Sequence, residues 1–151
     1  VAFVELPLEA PPRRALVQEA TAGLELARLA WRAPEVLRAP RGDGAPVVVL
    51  PGYATGDVST ALLRAVLRAL GWDARGWGLG INRGDVDDVV PRVEHRLAQV
   101  VDGHGAPVRL VGWSLGGVLA REVARGAPHL VDRVVTLGTP VVGGPKYTTV
   151  A

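Results

Sequence analysis

From residue 46 onward, short apolar runs rich in β-branched residues alternate with segments of helical period, and that alternation leaves few folds open. Pro46–Leu50 reads Pro-Val-Val-Val-Leu and predicts a buried strand. Pro107–Trp113 and Leu130–Leu137 read the same way, and Asp73–Trp77 is a fourth, less apolar candidate. Between the first two runs, Ser59 and Thr60 offer caps to a helix. Its buried side is Leu62, Leu63, Val66, Leu67 and Leu70, with Arg64 and Arg68 outward and Gly71 as its stop. A second helix carries Pro91 in its first turns, turns Val93, Leu97, Val100 and Val101 inward, and ends at Gly103. A third runs from Leu115 to Arg125 and is closed by Gly126 and Pro128. Strand, helix, strand, helix, strand, helix, strand implies right-handed crossovers, hence an α/β fold: a parallel sheet with flanking helices on both faces.

The chain has 151 residues, the size of one domain, and shows no internal repeat. A hydrophobic content of 48% against 21% charged residues fits a chain that buries a core. Residues 1–45 read as a helical N-terminal extension, and 46–151 as the α/β unit. In the extension, Leu16, Ala20, Leu24, Ala27 and Trp31 share one helical face over 12–33. Glu25 is mixed with arginines on the other face, which favours packing on protein over lying on a membrane surface. The net charge of +2 comes from arginines spread singly, so no phosphate-tracking patch forms and nucleic acid is not expected. No apolar stretch approaches the length of a membrane span, and residues 1–12 lack the basic start of a signal peptide, which gives a cytoplasmic expectation. Cysteine is absent, which removes disulfides and thiolate metal sites. Methionine is absent even from position 1, so the chain either uses an alternative start codon or is a piece of something longer.

Chemistry enters at Gly112-Trp113-Ser114-Leu115-Gly116, a G-x-S-x-G sequence set where a predicted strand meets a predicted helix. A serine on so tight a turn projects its hydroxyl above the sheet edge from a strained backbone. Side chains at 112 and 116 would collide with the neighbouring strand and the following helix; glycine removes them, and Gly117 lets the helix come close. The helix start also favours negative charge beside the serine. A second element, Leu50-Pro51-Gly52-Tyr53-Ala54, follows the first strand of the set. A tetrahedral oxyanion needs donors fixed in advance. The Leu115 amide is one candidate; Gly52 lets the backbone approach, and the Tyr53 amide is the other.

Val-Val-Val-Leu-Pro-Gly-Tyr (47–53), Leu-Val-Gly-Trp-Ser-Leu-Gly-Gly (110–117) and Val-Thr-Leu-Gly-Thr-Pro (135–140) together resemble the esterase/lipase branch of the α/β-hydrolase family. The resemblance covers about 46 to 140. It implies a serine hydrolase that cleaves carboxylic esters, small or lipid-like, through an acyl-enzyme at Ser114, with no cofactor. Where the family commonly has His-Gly, this chain has Pro51-Gly52, which leaves a backbone donor intact and removes any contact made by that histidine.

The family's triad runs Ser, then Asp or Glu, then His, and the base is needed to make the hydroxyl a nucleophile. After Ser114 the only histidine is His129, placed before the last strand and so at the opposite end of the sheet; Asp132 has the same fault. His95 and His104 precede the serine and read as solvated. The acid and the histidine are therefore expected beyond residue 151, with the sheet incomplete at the C-terminus. The alternatives are a non-catalytic binding protein on the same fold, or an acyltransferase.

Other patterns fail. Gly78-Leu-Gly80 is followed by Arg83 where a dinucleotide loop needs its third glycine, and Gly138–Gly144 lacks the lysine of a phosphate loop. Asp85, Asp87 and Asp88 read as helix-capping charges and not as calcium ligands. Trp72 and Trp77 read as core or cleft wall. No residue pattern has metal-ligand spacing.

Overall fold

A computed structural model of the chain describes residues 33–36 and 38–140. Of the amphipathic stretch expected over 12–33, residues 12–32 lie outside the described residues. Helix α1 is a single turn, Ala33–Val36. One compact unit, Ala39–Val141, holds everything that follows.

The sheet has four strands: β1 (Pro46–Leu50), β2 (Asp73–Gly76), β3 (Val108–Trp113) and β4 (Val131–Leu137). They lie in the order β2-β1-β3-β4 and every pair is parallel, as the alternation predicts. Helices α2 (Ala61–Ala69), α3 (Val86–His104) and α4 (Leu115–Gly126) make the crossovers.

β1 is buried at every residue because it has a strand on each side and helices on both faces. Its alternate side chains divide the core. Val48 and Leu50 join Val93, Leu97, Leu110 and Leu119 under α3 and α4. Val47 and Val49 join Ala74, Leu63 and Leu67 under α2. Trp77 is buried in the first cluster, with its ring N–H bonded to the Gly80 carbonyl at 3.0 Å.

Several local expectations need correction. α2 buries none of its own residues, and Leu62 is 49% exposed. Its arginines do not simply point outward: Arg64 donates to the Asp57 carbonyl and Arg68 to the Ala74 carbonyl at 2.8 Å. Their long stems carry the guanidinium groups to backbone carbonyls of neighbouring segments, Asp57 in the turn before α2 and Ala74 in the edge strand β2. Thr60 stands at the N-cap of α2 but does not accept from the helix; its hydroxyl donates to Asp57 O, and Ser59 donates to Gly56 O.

α3 runs past Gly103 and stops at Gly105, whose φ of 79° makes the left-handed cap. At its start Asp85 accepts from the Asp88 amide at 3.1 Å, with Asp87 and Asp88 in the first turn, which is the capping role expected. Leu130 belongs to a 3-10 turn, Pro128–Leu130, and not to β4.

Candidate functional site at the strand–helix junction

β3 ends at Trp113 and α4 begins at Leu115, so the whole reversal from strand to helix falls on Ser114. Its φ of 53° and ψ of −120° are values that L-residues avoid, at a cost of about 1–3 kcal/mol. Neighbours hold the backbone there. The Ser114 amide donates to Leu137 O at 2.8 Å, and the Ser114 carbonyl accepts from the Thr139 hydroxyl at 2.9 Å and the Gly117 amide at 3.0 Å. The side chain, in contrast, makes no capping bond and has no hydrogen-bond partner among the described residues. The hydroxyl is half-buried at the start of a helix, where the local dipole favours negative charge.

The glycines around it are required by space. A Cβ at Gly112 would overlap the Gly116 carbonyl and the Gly117 backbone. One at Gly116 would overlap Leu50 O and come within 2.7 Å of Pro51 O. One at Gly117 would strike the Thr139 side chain. The helix start is thus wedged between the ends of β1, β3 and β4.

Because β1 pairs with β3, with Leu50 opposite Gly112, the loop leaving β1 emerges beside Ser114. A Cβ at Gly52 would lie 3.5 Å from Ser114 Cβ and 3.6 Å from Trp113 O, which is ordinary contact. Unlike 112, 116 and 117, position 52 has room for a Cβ, so the expectation that close approach demands glycine there is not met. Tyr53 and Trp113, one in each of the two segments that meet there, are about half-exposed. Among the described residues neither the Tyr53 amide nor the Leu115 amide has an acceptor. Leu115 is the first residue of α4, where amides have no partner within the helix.

No family model matches the chain. Solved structures do. A Bacillus licheniformis lipase in its mature form superposes with a TM-score of 0.53 and 26% identity, over 68% of this chain and 44% of that one. The propeptide form of the same lipase gives the same score and identity, over 24% of its length. A probable hydrolytic enzyme from Pseudomonas aeruginosa PAO1 superposes with a TM-score of 0.54 and 20% identity, over 67% of this chain and 35% of that one. The chain has an α/β-hydrolase fold. It spans less than half the length of these structures.

Within this α/β-hydrolase fold none of the three histidines bonds to Ser114. His129 sits in the turn before β4, while Ser114 follows β3; the paired strands between them put the two about 20 Å apart. His95 is exposed on α3 beside Gln99, and His104 ends that helix with its Nε2 3.1 Å from Gly44 O. Asp132 is taken up by Arg109 at 2.8 Å, at the start of the strands. No group of residues able to hold a metal ion occurs among those described. No described helix is long and apolar enough to cross a membrane.

Three residues of this part of the α/β-hydrolase fold escaped the sequence reading. Thr139 pins the Ser114 carbonyl. Ala54 adopts a positive φ of 55°. Asn82 is fully buried and bonded to the 51–55 loop. A buried asparagine in a glycine-rich loop has no period or motif to announce it.

Proposed function

We propose that Ser114 is the nucleophile of a serine hydrolase that cleaves carboxylic esters. Its Oγ attacks the ester carbonyl, the carbonyl oxygen takes up negative charge between the Tyr53 and Leu115 amides, and the alcohol leaves to give an acyl-enzyme that water releases. One observation supports this reading above the others. A hydroxyl with no partner among the described residues stands on a positive-φ residue, next to two backbone segments in which the Tyr53 and Leu115 amides also have no described acceptor. Backbone strain and unsatisfied donors rarely coincide without a use.

The proton acceptor that Ser114 needs is not among the histidines of this sequence, so in this reading the acid and the base come from outside these 151 residues. The half-exposed Tyr53 and Trp113 suit an acyl or aromatic substrate group. The same absence of a nearby base favours a second reading, a binding protein that keeps the fold without turnover. Acyl transfer to another alcohol would use the same groups as hydrolysis.

Fluorophosphonate labelling of the complete encoded protein separates these. The hydrolase reading expects covalent labelling and turnover of a p-nitrophenyl ester, both abolished in Ser114→Ala. It also expects the 151-residue chain alone to be slower by about 10⁴-fold or more. An unlabelled complete protein, or a short chain as fast as the complete one, overturns it.

A further inference from the structure

The Tyr53 amide owes its direction to a side chain from a different loop. Asn82 is fully buried and uses every polar group it has. Its Nδ2 donates to Pro51 O at 2.9 Å, and its Oδ1 accepts from the Gly84 amide at 3.1 Å. Its own amide donates to Thr55 O at 2.9 Å, and its carbonyl accepts from the Ala54 amide at 2.7 Å. Burying a primary amide is costly unless it is fully bonded, and an apolar residue could fill the same volume. What the apolar residue could not do is hold the buried Pro51 carbonyl, which has no other donor among the described residues.

The contacts to Pro51 and Ala54 fall on alternate peptide planes, both trans. Asn82 fixes the plane between Pro51 and Gly52 through its carbonyl, and the plane between Tyr53 and Ala54 through its N–H. The plane between them presents Gly52 O on one edge and the Tyr53 N–H on the other, because a trans peptide points the two in opposite directions. Gly52 O is held by the Thr55 hydroxyl at 2.9 Å and the Thr55 amide at 3.4 Å. The Tyr53 amide is therefore turned away from Thr55 by a plane clamped on both sides. Ala54 takes its left-handed φ at the same point, strain that the bond to Asn82 offsets.

We infer that Asn82 is a positioning residue for the oxyanion site: it sets the direction of the Tyr53 amide. This rests on the proposed role of Ser114. Asn82 does not itself touch the reacting atoms, and it acts only on the charge that develops in the transition state.

The test compares a p-nitrophenyl ester with its thiono counterpart, in the complete protein and in Asn82→Asp, Thr55→Val and Ser114→Ala. Sulfur is a weak hydrogen-bond acceptor, so the thiono ester draws little from a misdirected amide. Asn82→Asp replaces the donor to Pro51 O by an acceptor. It is expected to lower kcat on the oxo ester by about 10- to 100-fold with little change in KM, and to lower the thiono rate far less. Thr55→Val releases only the side-chain bond to Gly52 O; it is expected to shift the oxo-to-thiono ratio in the same direction by about threefold. That milder variant carries the comparison should Asn82→Asp fail to fold. Equal losses on both esters, or a change confined to KM or thermal midpoint, would make Asn82 merely structural. Wild-type turnover matching Ser114→Ala would remove the hydrolase reading itself, and this inference with it.

Discussion

At the start of the strands, Arg109 bonds to Asp132 at 2.8 Å and to Asp43 at 3.3 Å, with its guanidinium 4.5 Å from the centre of the Trp72 ring. Further along the same strand, past Trp113, Ser114 stands on a strained backbone with a hydroxyl that has no partner among the described residues. Both ends are rich in polar groups; they differ in where the hydrogen bonds go. At the first end the charged groups face each other, so their capacity is consumed within the protein. At the far end the bonds go to the backbone of the loops, and the Tyr53 and Leu115 amides are left without acceptors among the described residues. Fixed but unpaired donors are poised for a guest. A sheet can therefore use one end for cohesion and the other for chemistry, and substitutions at the two should separate stability from reactivity.

The largest separation is expected at Ser114. Ser114→Ala removes a hydroxyl that bonds to nothing described, so the denaturation midpoint should barely move. Ester turnover by the complete protein should fall by about 10⁴- to 10⁶-fold. A drop in stability comparable to that of a core substitution would mean that the hydroxyl is structural, and the contrast between the ends would fail.

A pair of glycines sharpens the same contrast. Gly112→Ala drives a methyl group into the Gly116 carbonyl and the Gly117 backbone, which cannot yield without moving α4. About 3 kcal/mol or more of destabilisation is expected, read by urea denaturation. At the other end Gly44 has a φ of 81° and nothing within 4 Å of an added Cβ. Gly44→Ala meets only the dihedral penalty of a left-handed residue, about 1–2 kcal/mol. Equal costs at the two positions would show that the far end is no more tightly wedged than the first.

What the sequence revealed follows the same division. The parallel pairing and the burial of Val47–Leu50 are legible because apolar periodicity depends only on local pattern. The serine on its bend was legible because crowding demands glycine at fixed offsets, 112 and 116. Arg64 was misplaced because a helical period assigns a face but says nothing about where a long side chain turns back. Gly103 and Gly105 look alike as helix stops in the sequence, and only Gly105 takes the left-handed φ. Asn82 and Thr139 stayed hidden because their partners are backbone groups 31 and 25 residues away, and such pairs leave no trace in local pattern.

The smallest effect belongs to the first end and is set by pH. The Ala45 amide, and then Arg109, hold the Asp43 carboxyl below its usual 3.8, so the folded state binds its proton less readily than the unfolded chain. Asp73 is lowered in the same sense, chiefly by its hydrogen bond to Arg75. A depressed carboxylate contributes stability that is present above its unfolded value and is lost as pH falls through the folded one. The loss therefore begins near pH 4 and is complete only at lower pH. Asp43→Asn should cost a little stability at neutral pH and nothing in strong acid, and the difference should shrink in high salt because the pair with Arg109 is exposed. Labelling of Ser114 at neutral pH should not respond, since no described bond links Asp43 to the 51–55 loop or to the β3–α4 bend. Slower labelling in Asp43→Asn would show that the charge cluster and the serine are coupled along β3, and the two ends could no longer be treated as independent.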